Sequence, residues 1–238
     1  MIDYTKLSES MTGLGQDRSE VYQSIFKSVY GWMTAGLVVS GVVAWLTVNT
    51  GLYKTVLSPL PFLLCVIGEF ALVIALSSAI GRLSAAAATG FFLLYAALNG
   101  VTLSGIFLVY AHSSIQSVFF ITAGMFGGLA LFGTMTKKSL SGVGAFCGMG
   151  LWGLILASVV NIFVGSSGLD WIISWVGIII FTGLTMWDAQ KIRIWAECAA
   201  EQGGQAETKR VAVLGALELY LDFINMFLMI LNLFGRRR

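Results

Sequence analysis

The stretch Leu214–Phe234 constrains this chain more than any other part of the sequence. It is about 20 residues long and largely apolar, enough to cross the ~30 Å hydrocarbon core as a helix. It also carries Glu218, Asp222, Asn225 and Asn232 at spacings of four, three and seven residues, which place them on one helix face. A carboxylate at mid-membrane costs about 3 kcal/mol or more and almost always faces a bundle interior or a water-filled cavity. We therefore predict that other helices enclose this one and that Asp222 marks a polar site inside the membrane.

The composition of the whole chain agrees with a membrane protein. Of its 238 residues, 57% are hydrophobic and 11% are charged, with a mean hydropathy of +0.86. A soluble domain has about 25% charged residues. The apolar runs are continuous and do not alternate with polar residues, which predicts an all-α polytopic protein. The three cysteines form no CxxC pair, so we expect neither a disulfide framework nor a thiolate metal site. The polar start shows no cleavable signal peptide, so the first span is expected to act as the insertion signal.

Seven apolar segments divide the chain into a polar N-terminal tail (1–28), a transmembrane domain (29–235) and a basic C-terminal tail (236–238). The predicted spans are Val29–Val48, Pro61–Ile80, Ser84–Val109, Ile115–Met135, Gly142–Val164, Trp171–Ile194 and Val211–Phe234. The connections are short except for Ala196–Arg210, which is hydrophilic and is predicted to be the longest internal loop. Short connections favour a tight bundle with sequential neighbours antiparallel.

The distribution of Lys and Arg predicts a cytoplasmic N-terminus. With seven crossings, the N-terminal side carries 10 of these residues and the opposite side carries 4. Three of those 4 are the C-terminal Arg236, Arg237 and Arg238, which argue the other way. A re-entrant last segment would put both termini in the cytoplasm and remove the conflict, so it is kept as the alternative to seven full crossings.

Two pairs of glycines have the small-xxx-small spacing that allows membrane helices to approach closely. They are Gly124 and Gly128 in the fourth span and Gly144 and Gly148 in the fifth. The pairs favour close helix packing, although glycine is also simply frequent in membrane helices.

Asp188 and Asp222 are predicted to lie at the same depth. Asp188 lies ten residues before Cys198, the predicted end of the sixth helix, and Asp222 lies eleven residues after Val211, the predicted start of the seventh. Each is therefore about 15 Å from the connection between two antiparallel helices. Two buried carboxylates that meet cannot both ionise at low cost, so they share a proton. The pair is predicted to act as a pH-sensitive latch, which holds the helices together with the proton and separates them without it.

Each acidic residue also has a purely structural interpretation. Asp188 could pair with Lys191, one turn further on, and end its helix at the interface. Asp222 could be a hydrogen-bond partner for backbone or hydroxyl groups. Glu69, near the middle of the second span, could line the same cavity or could be a neutral acid bonded to a neighbouring helix. Glu218 could line the ion pathway with Asn225 or could reach the interface.

The donor atoms of this set indicate hard cations. Asp, Glu and Asn supply oxygen ligands, which suit Ca²⁺ and H⁺ and do not suit zinc or copper. Asp188 and Asp222 are therefore also the candidate Ca²⁺ ligands. The sequence contains no GxxxxGK[ST], HExxH or GxSxG motif, so an ATPase, zinc-protease or serine-hydrolase function is not predicted. We expect no enzyme activity, no cofactor and no nucleic-acid partner.

Several segments resemble one membrane-protein family. The run LGALELYLDFINMFLMILNLFG and the upstream TGLTMWDAQKI are similar to the Bax inhibitor-1 (transmembrane Bax-inhibitor-motif) family. The segments VYGWMTAGL and GVTLSGIFLVY resemble its bacterial inner-membrane branch. The resemblance extends from about Tyr22 to the C-terminus.

The resemblance implies a fold of seven helices with the last enclosed by the other six. It implies a Ca²⁺ leak controlled by pH through an aspartate pair, which falls on Asp188 and Asp222. A glutamate of the second helix in some members falls on Glu69. An arginine that contacts the latch in some members has no matching position; Arg82 is the nearest, and its register differs.

Three hypotheses for the function follow. The first is a proton-gated Ca²⁺ leak in the bacterial inner membrane. The second is a regulatory protein that binds other membrane proteins, such as the membrane-anchored AAA protease that some bacterial members modulate, through its cytoplasmic tail and loop. The third is a coupled exchanger of H⁺ and Ca²⁺.

Overall fold

Eight helices make up the described part of the chain. A computed structural model describes the backbone of residues 4–79, 83–202 and 205–238 and the side chains of 20–79, 83–201 and 207–238. The helices are α1 (Tyr4–Asn49), α2 (Tyr53–Val56), α3 (Pro59–Ala79), α4 (Ala85–Val109), α5 (His112–Met135), α6 (Ser141–Val164), α7 (Ser167–Gln202) and α8 (Gln205–Phe234). All except the one-turn α2 contain a stretch long and apolar enough to cross a membrane. The prediction of an all-α polytopic membrane protein with seven spans is confirmed.

The last helix, α8, is the core of the bundle. In its most apolar 18-residue stretch 67% of the residues are buried inside the protein, against 6% for α3. Its direct neighbours are α1, α4, α5 and α7, whereas α3 packs mainly on α4 and α6 on α7. The central position of α8 and the outer position of α3 agree with their sequences. α8 combines a polar stripe with large apolar side chains, whereas α3 is apolar almost all round.

The last helix crosses the bundle completely. Near its start, Arg210 donates from Nε to the carbonyl of Leu83, beside the α3–α4 connection (3.0 Å). Beyond its end, the backbone N–H of Arg238 donates to the carbonyl of Val109, where α4 ends (2.9 Å). These contacts lie at opposite ends of α4, so the re-entrant alternative is wrong. The C-terminal arginines therefore lie at the end of the bundle opposite the N-terminus.

The predicted hydrophilic loop Ala196–Arg210 is wrong. The structure continues α7 to Gln202 and begins α8 at Gln205, so Cys198 lies on a helix with an exposed side chain. The segment is rich in Ala, Glu, Gln, Lys and Arg, which are good helix formers. Its polarity indicated exposure outside the bilayer, and exposure does not by itself end a helix.

Of the four glycines in the two predicted pairs, only Gly144 lies at a close contact between helices. Gly144 faces the ring of Trp187 so closely that a β-carbon there would overlap it, which makes α6 and α7 close neighbours. Gly124, Gly128 and Gly148 have no neighbouring atom within 4 Å of the position a β-carbon would take. The close approach of α5 to α7 instead uses Gly133, which the spacing pattern did not select.

Candidate functional site

A cavity of about 760 Å³ lies between α8 and the outer helices. Residues of α3, α4, α6, α7 and α8 line it, so α3 and α6 face the central helix across this space. Most of the lining is apolar and includes Phe62, Phe70, Trp152, Phe181 and Leu184. The polar lining residues are Glu69, Asn99, Thr102, Asp188, Lys191, Glu218, Asp222 and Asn225. The polar stripe of α8 and the acid of α3 therefore open into one cavity.

Asp188 and Asp222 meet at the wall of this cavity. Their carboxyl groups are near enough to interact directly, and the two residues are only 7% and 4% exposed. Two ionised carboxylates can only accept hydrogen bonds, so a hydrogen bond between the two aspartates would need a proton on one of them. Asp222 Oδ2 is buried and has no hydrogen-bond partner among the described residues.

The antiparallel register of α7 and α8 brings the two aspartates together. Both helices extend further than predicted, α7 past Cys198 and α8 to before Val211. Both extensions lie at the connection between α7 and α8, so they lengthen the two helices at the same end of the pair. The depth of one aspartate relative to the other therefore stays nearly unchanged. The Lys191–Glu218 contact follows one turn closer to that connection, as the same register requires.

Lys191 makes contacts at this site that the sequence did not predict in full. Its Nζ lies 2.7 Å from Asp188 Oδ1 and 2.9 Å from Glu218 Oε1, so one ammonium bridges α7 and α8. The same Nζ lies over the rings of Trp187 and Trp195, 4.2 and 5.1 Å from their centroids. The structural alternative for Asp188 named its pairing with Lys191, which occurs, but α7 does not end there. Glu218 lies one turn before Asp222 on the same face of α8, and this spacing could have indicated Glu218 as the second partner of Lys191.

Glu69 is tied to α4 and, through it, to α8. Its Oε1 accepts from the Thr102 hydroxyl at 2.8 Å and its Oε2 from Asn99 Nδ2 at 3.4 Å. Asn99 Oδ1 in turn accepts from the Tyr220 hydroxyl at 2.9 Å. Glu69 therefore makes the interhelical hydrogen bonds of its structural interpretation and also faces the cavity. The hydroxyl of Ser40 on α1 joins the same network, 2.7 Å from that of Tyr220.

The remaining predicted site residues lie at different places. Glu218 does not reach the interface: its side chain is 22% exposed and pairs with Lys191, and its buried Oε2 has no hydrogen-bond partner within the described ranges. Asn225 lines the cavity, and its Nδ2 donates to the Leu221 carbonyl of its own helix at 2.8 Å. Asn232, at the far end of the stripe, donates to the Ser174 hydroxyl. Arg82 lies outside the described residues.

The site does not have the form of a resident metal centre. Over the described side chains, no group of three or more His, Cys, Asp or Glu residues could hold a metal ion. Ca²⁺ takes six to eight oxygen ligands, and the Lys191 ammonium already occupies the position between Asp188 and Glu218. Ca²⁺ binding at Asp188 and Asp222 stays a prediction, and it concerns an ion in passage.

The central helix of this bundle places buried acids in a cavity that is lined by membrane-spanning segments. This arrangement defines the class: a polytopic helical membrane protein with an internal charged site. Comparison with known proteins identifies the family. The family model described as "Inhibitor of apoptosis-promoting Bax1" matches residues 22–238, so the chain belongs to the Bax inhibitor-1 family.

Similar bacterial proteins match over nearly their full length. The inner membrane protein YbhL of Escherichia coli (strain K12) is 45% identical over 218 residues, which cover 91% of this chain and 93% of that protein. An uncharacterized protein of Borreliella burgdorferi is 42% identical, with 96% and 99% covered. The uncharacterized protein RP147 of Rickettsia prowazekii is 34% identical and covers all of both chains.

Proposed function

We propose that this protein is a cation leak for Ca²⁺, gated by the shared proton of Asp188 and Asp222. The observation that carries the proposal is their contact between α7 and α8 on the wall of a cavity at membrane depth. Glu69, Glu218 and Asn225 line the same cavity and would attract a cation along it. No energy-coupling motif is present in the sequence, which favours passive flow over pumping.

The gate is a change in the charge held between the two helices. With one proton, the aspartates attract each other and keep α7 against α8. Without it, two neighbouring carboxylates repel each other in a medium that screens charge poorly. Lys191 offsets part of this repulsion because it is bound to Asp188, so it acts as the fixed counter-ion of the gate.

The test is Ca²⁺ influx into proteoliposomes that contain a Ca²⁺ dye, measured across a series of pH values. Asn has the shape of Asp and carries N–H donors, so Asp222→Asn imitates a permanently protonated residue. We expect the influx through the wild type to change with pH and the influx through Asp222→Asn to become independent of pH. Asp188→Asn should also flatten the profile. Asp170→Asn makes the same substitution at an exposed site near the other end of α7 and should follow the wild type.

Two results of this experiment would contradict the proposal. If both aspartate variants match the wild type at every pH, the pair does not control the leak. If none of the proteins passes Ca²⁺ at any pH, the leak itself is wrong. Measuring H⁺ movement in the same vesicles separates a leak from an exchanger, because an exchanger couples the two fluxes in a fixed ratio.

We also propose that the protein lies in the bacterial inner membrane with its N-terminus in the cytoplasm. The Lys and Arg distribution supports this orientation, and YbhL, which is similar over most of the chain, is named an inner membrane protein. The three C-terminal arginines would then face the periplasm.

A second candidate function is binding and regulation of another membrane protein, such as a membrane-anchored AAA protease. The long helices favour it: α1 has 46 residues and would extend about 69 Å, more than twice the ~30 Å hydrocarbon core. α7 and α8 also extend beyond their apolar parts at the same end. Deletion of Met1–Ser19 should abolish co-purification with the protease and spare the leak. A deletion that stops the leak and leaves the partner bound would reverse this assignment.

A further inference from the structure

The cavity opens sideways toward the lipid. Within the described part of the chain, α3 packs mainly on α4 and α6 mainly on α7, and any direct contact between α3 and α6 is slight. Three side chains of the cavity lining are strongly exposed, namely Phe62 and Phe70 on α3 and Trp152 on α6. All three lie within membrane-spanning segments. A molecule dissolved in the bilayer therefore has a route between α3 and α6 to the central helix.

Two carboxylate oxygens at the inner end of this route have no hydrogen-bond partner among the described residues. Asp222 is 96% buried, and its Oδ2 has no partner among the described residues; Glu218 Oε2 is in the same condition. Buried acceptors in folded proteins are almost always paired, so each of these oxygens calls for a donor. Four acidic side chains and one ammonium, that of Lys191, line the cavity. The polar end of the cavity is therefore acidic and short of donors.

We propose that this cavity binds a hydrophobic primary ammonium ion with a single alkyl chain, which enters from the bilayer. The ammonium would donate to Asp222 Oδ2 and Glu218 Oε2, and the chain would lie along the apolar walls of α3 and α6. The volume of about 760 Å³ lies within the range of small-molecule sites. Binding of this kind depends on the cavity and its acids, whether or not the protein passes inorganic ions.

The chemistry of the site selects this ligand among other amphiphiles. A primary ammonium has three N–H donors, one positive charge and no acceptor, which matches two unpaired carboxylate oxygens. A fatty acid would bring a further negative charge to a site that is already acidic. A quaternary ammonium has charge but no N–H donor, and an alcohol has one donor and no charge. A metal ion is less suited, because no three acids within the described residues converge on one point.

Equilibrium binding of tritiated dodecylamine tests the proposal. The full-length protein is reconstituted in nanodiscs, and the signal of empty nanodiscs is subtracted to remove partition into lipid. We expect saturable binding of one molecule per chain. Unlabelled dodecylamine should compete at least about tenfold better than dodecanol, dodecanoate or dodecyltrimethylammonium, because only it combines charge with donors.

Two variants and their controls localise the site. Asp222→Asn removes the charge and should weaken binding by about tenfold or more, while Asp170→Asn should not change it. Gly148 lines the cavity and has open space beside it, so Gly148→Phe should fill the cavity and abolish saturable binding. Gly124→Phe places the same side chain in open space on α5, away from the cavity, and should bind like the wild type.

Two results would overturn the proposal. One is binding to the wild type that does not saturate or that dodecanol displaces as well as dodecylamine. The other is wild-type affinity in both Asp222→Asn and Gly148→Phe. If a variant fails to fold, the head-group series on the wild-type protein decides alone. The ammonium site and the Ca²⁺ leak are separable, since either measurement can succeed when the other fails.

Discussion

Replacing Lys191 by Met should destabilise the protein strongly, although the change removes only one positive charge. The ammonium holds two carboxylates, at 2.7 Å on α7 and at 2.9 Å on α8. The side chains of Lys191, Asp188 and Glu218 are 21%, 10% and 22% exposed, so water replaces the lost contact poorly. Removing one member of a buried ion pair costs about 3–5 kcal/mol, because the remaining charge stays buried without a partner.

The expected loss of stability in Lys191→Met can be expressed as a fall in the melting temperature, Tm. For a chain of this size, 1 kcal/mol corresponds to about 2–4 °C, so a loss of about 3 kcal/mol lowers the Tm by about 6–12 °C. The Tm of purified protein in a single detergent measures this loss. Lys209→Met is the matched control, because Lys209 is exposed near the start of α8, where a surface charge contributes about 1 kcal/mol or less.

The pH dependence of the loss gives a second measurement. In Lys191→Met the unpaired carboxylates are costly only while they are ionised, and acid neutralises them. The difference in Tm between the variant and the wild type should therefore shrink as the pH falls. The double variant Lys191→Met, Glu218→Gln removes one of the uncompensated charges and should recover part of the stability.

The reasoning is refuted if Lys191→Met melts within about 2 °C of the wild type, which corresponds to less than about 1 kcal/mol. It is also refuted if Lys209→Met loses as much stability, since the effect would then be general to lysine and not due to the bridge between α7 and α8.

Three further predictions follow from the packing and the topology. Gly133→Ala should lower the Tm by several degrees, because the added methyl meets the backbone of α7 and overpacking costs about 1–3 kcal/mol, while Gly128→Ala on the same helix has open space and should not. Tyr220→Phe removes a hydroxyl shared between α1 and α4 and should cost about 1–3 kcal/mol of stability in the same melting assay, without changing the leak. In intact cells a membrane-impermeant maleimide should not reach Cys198, which is exposed at the proposed cytoplasmic end, but should label Ser113→Cys at the opposite end; labelling of Cys198 from outside would reverse the orientation.

The contact between Asp188 and Asp222 shows how far local reasoning reached. Helix period and hydropathy are properties of one segment, so they located the spans and placed the acids of α8 on one face. Short connections made consecutive helices antiparallel neighbours, and that geometry brought the two aspartates to one depth. This prediction needed only the rise per residue and the chain direction.

Other features depended on how whole helices are rotated and separated, which a segment does not encode by itself. Lys191 reaches Glu218 only because both face the same gap between α7 and α8. Gly133 meets α7 and Gly124 meets nothing, although both lie on α5. The length of α7 was underestimated because polarity shows where a helix leaves the membrane and does not show where it ends.

The amino-acid sequence by itself determined that this chain is a seven-span helical membrane protein with acids inside the bilayer, because burial of apolar length and the cost of buried charge act locally along each helix. Only the tertiary structure decided that α3 and α6 line one cavity with the central helix, and that one lysine pairs with acids of two helices. These features depend on packing between side chains distant in sequence, which becomes defined only when all seven helices are assembled.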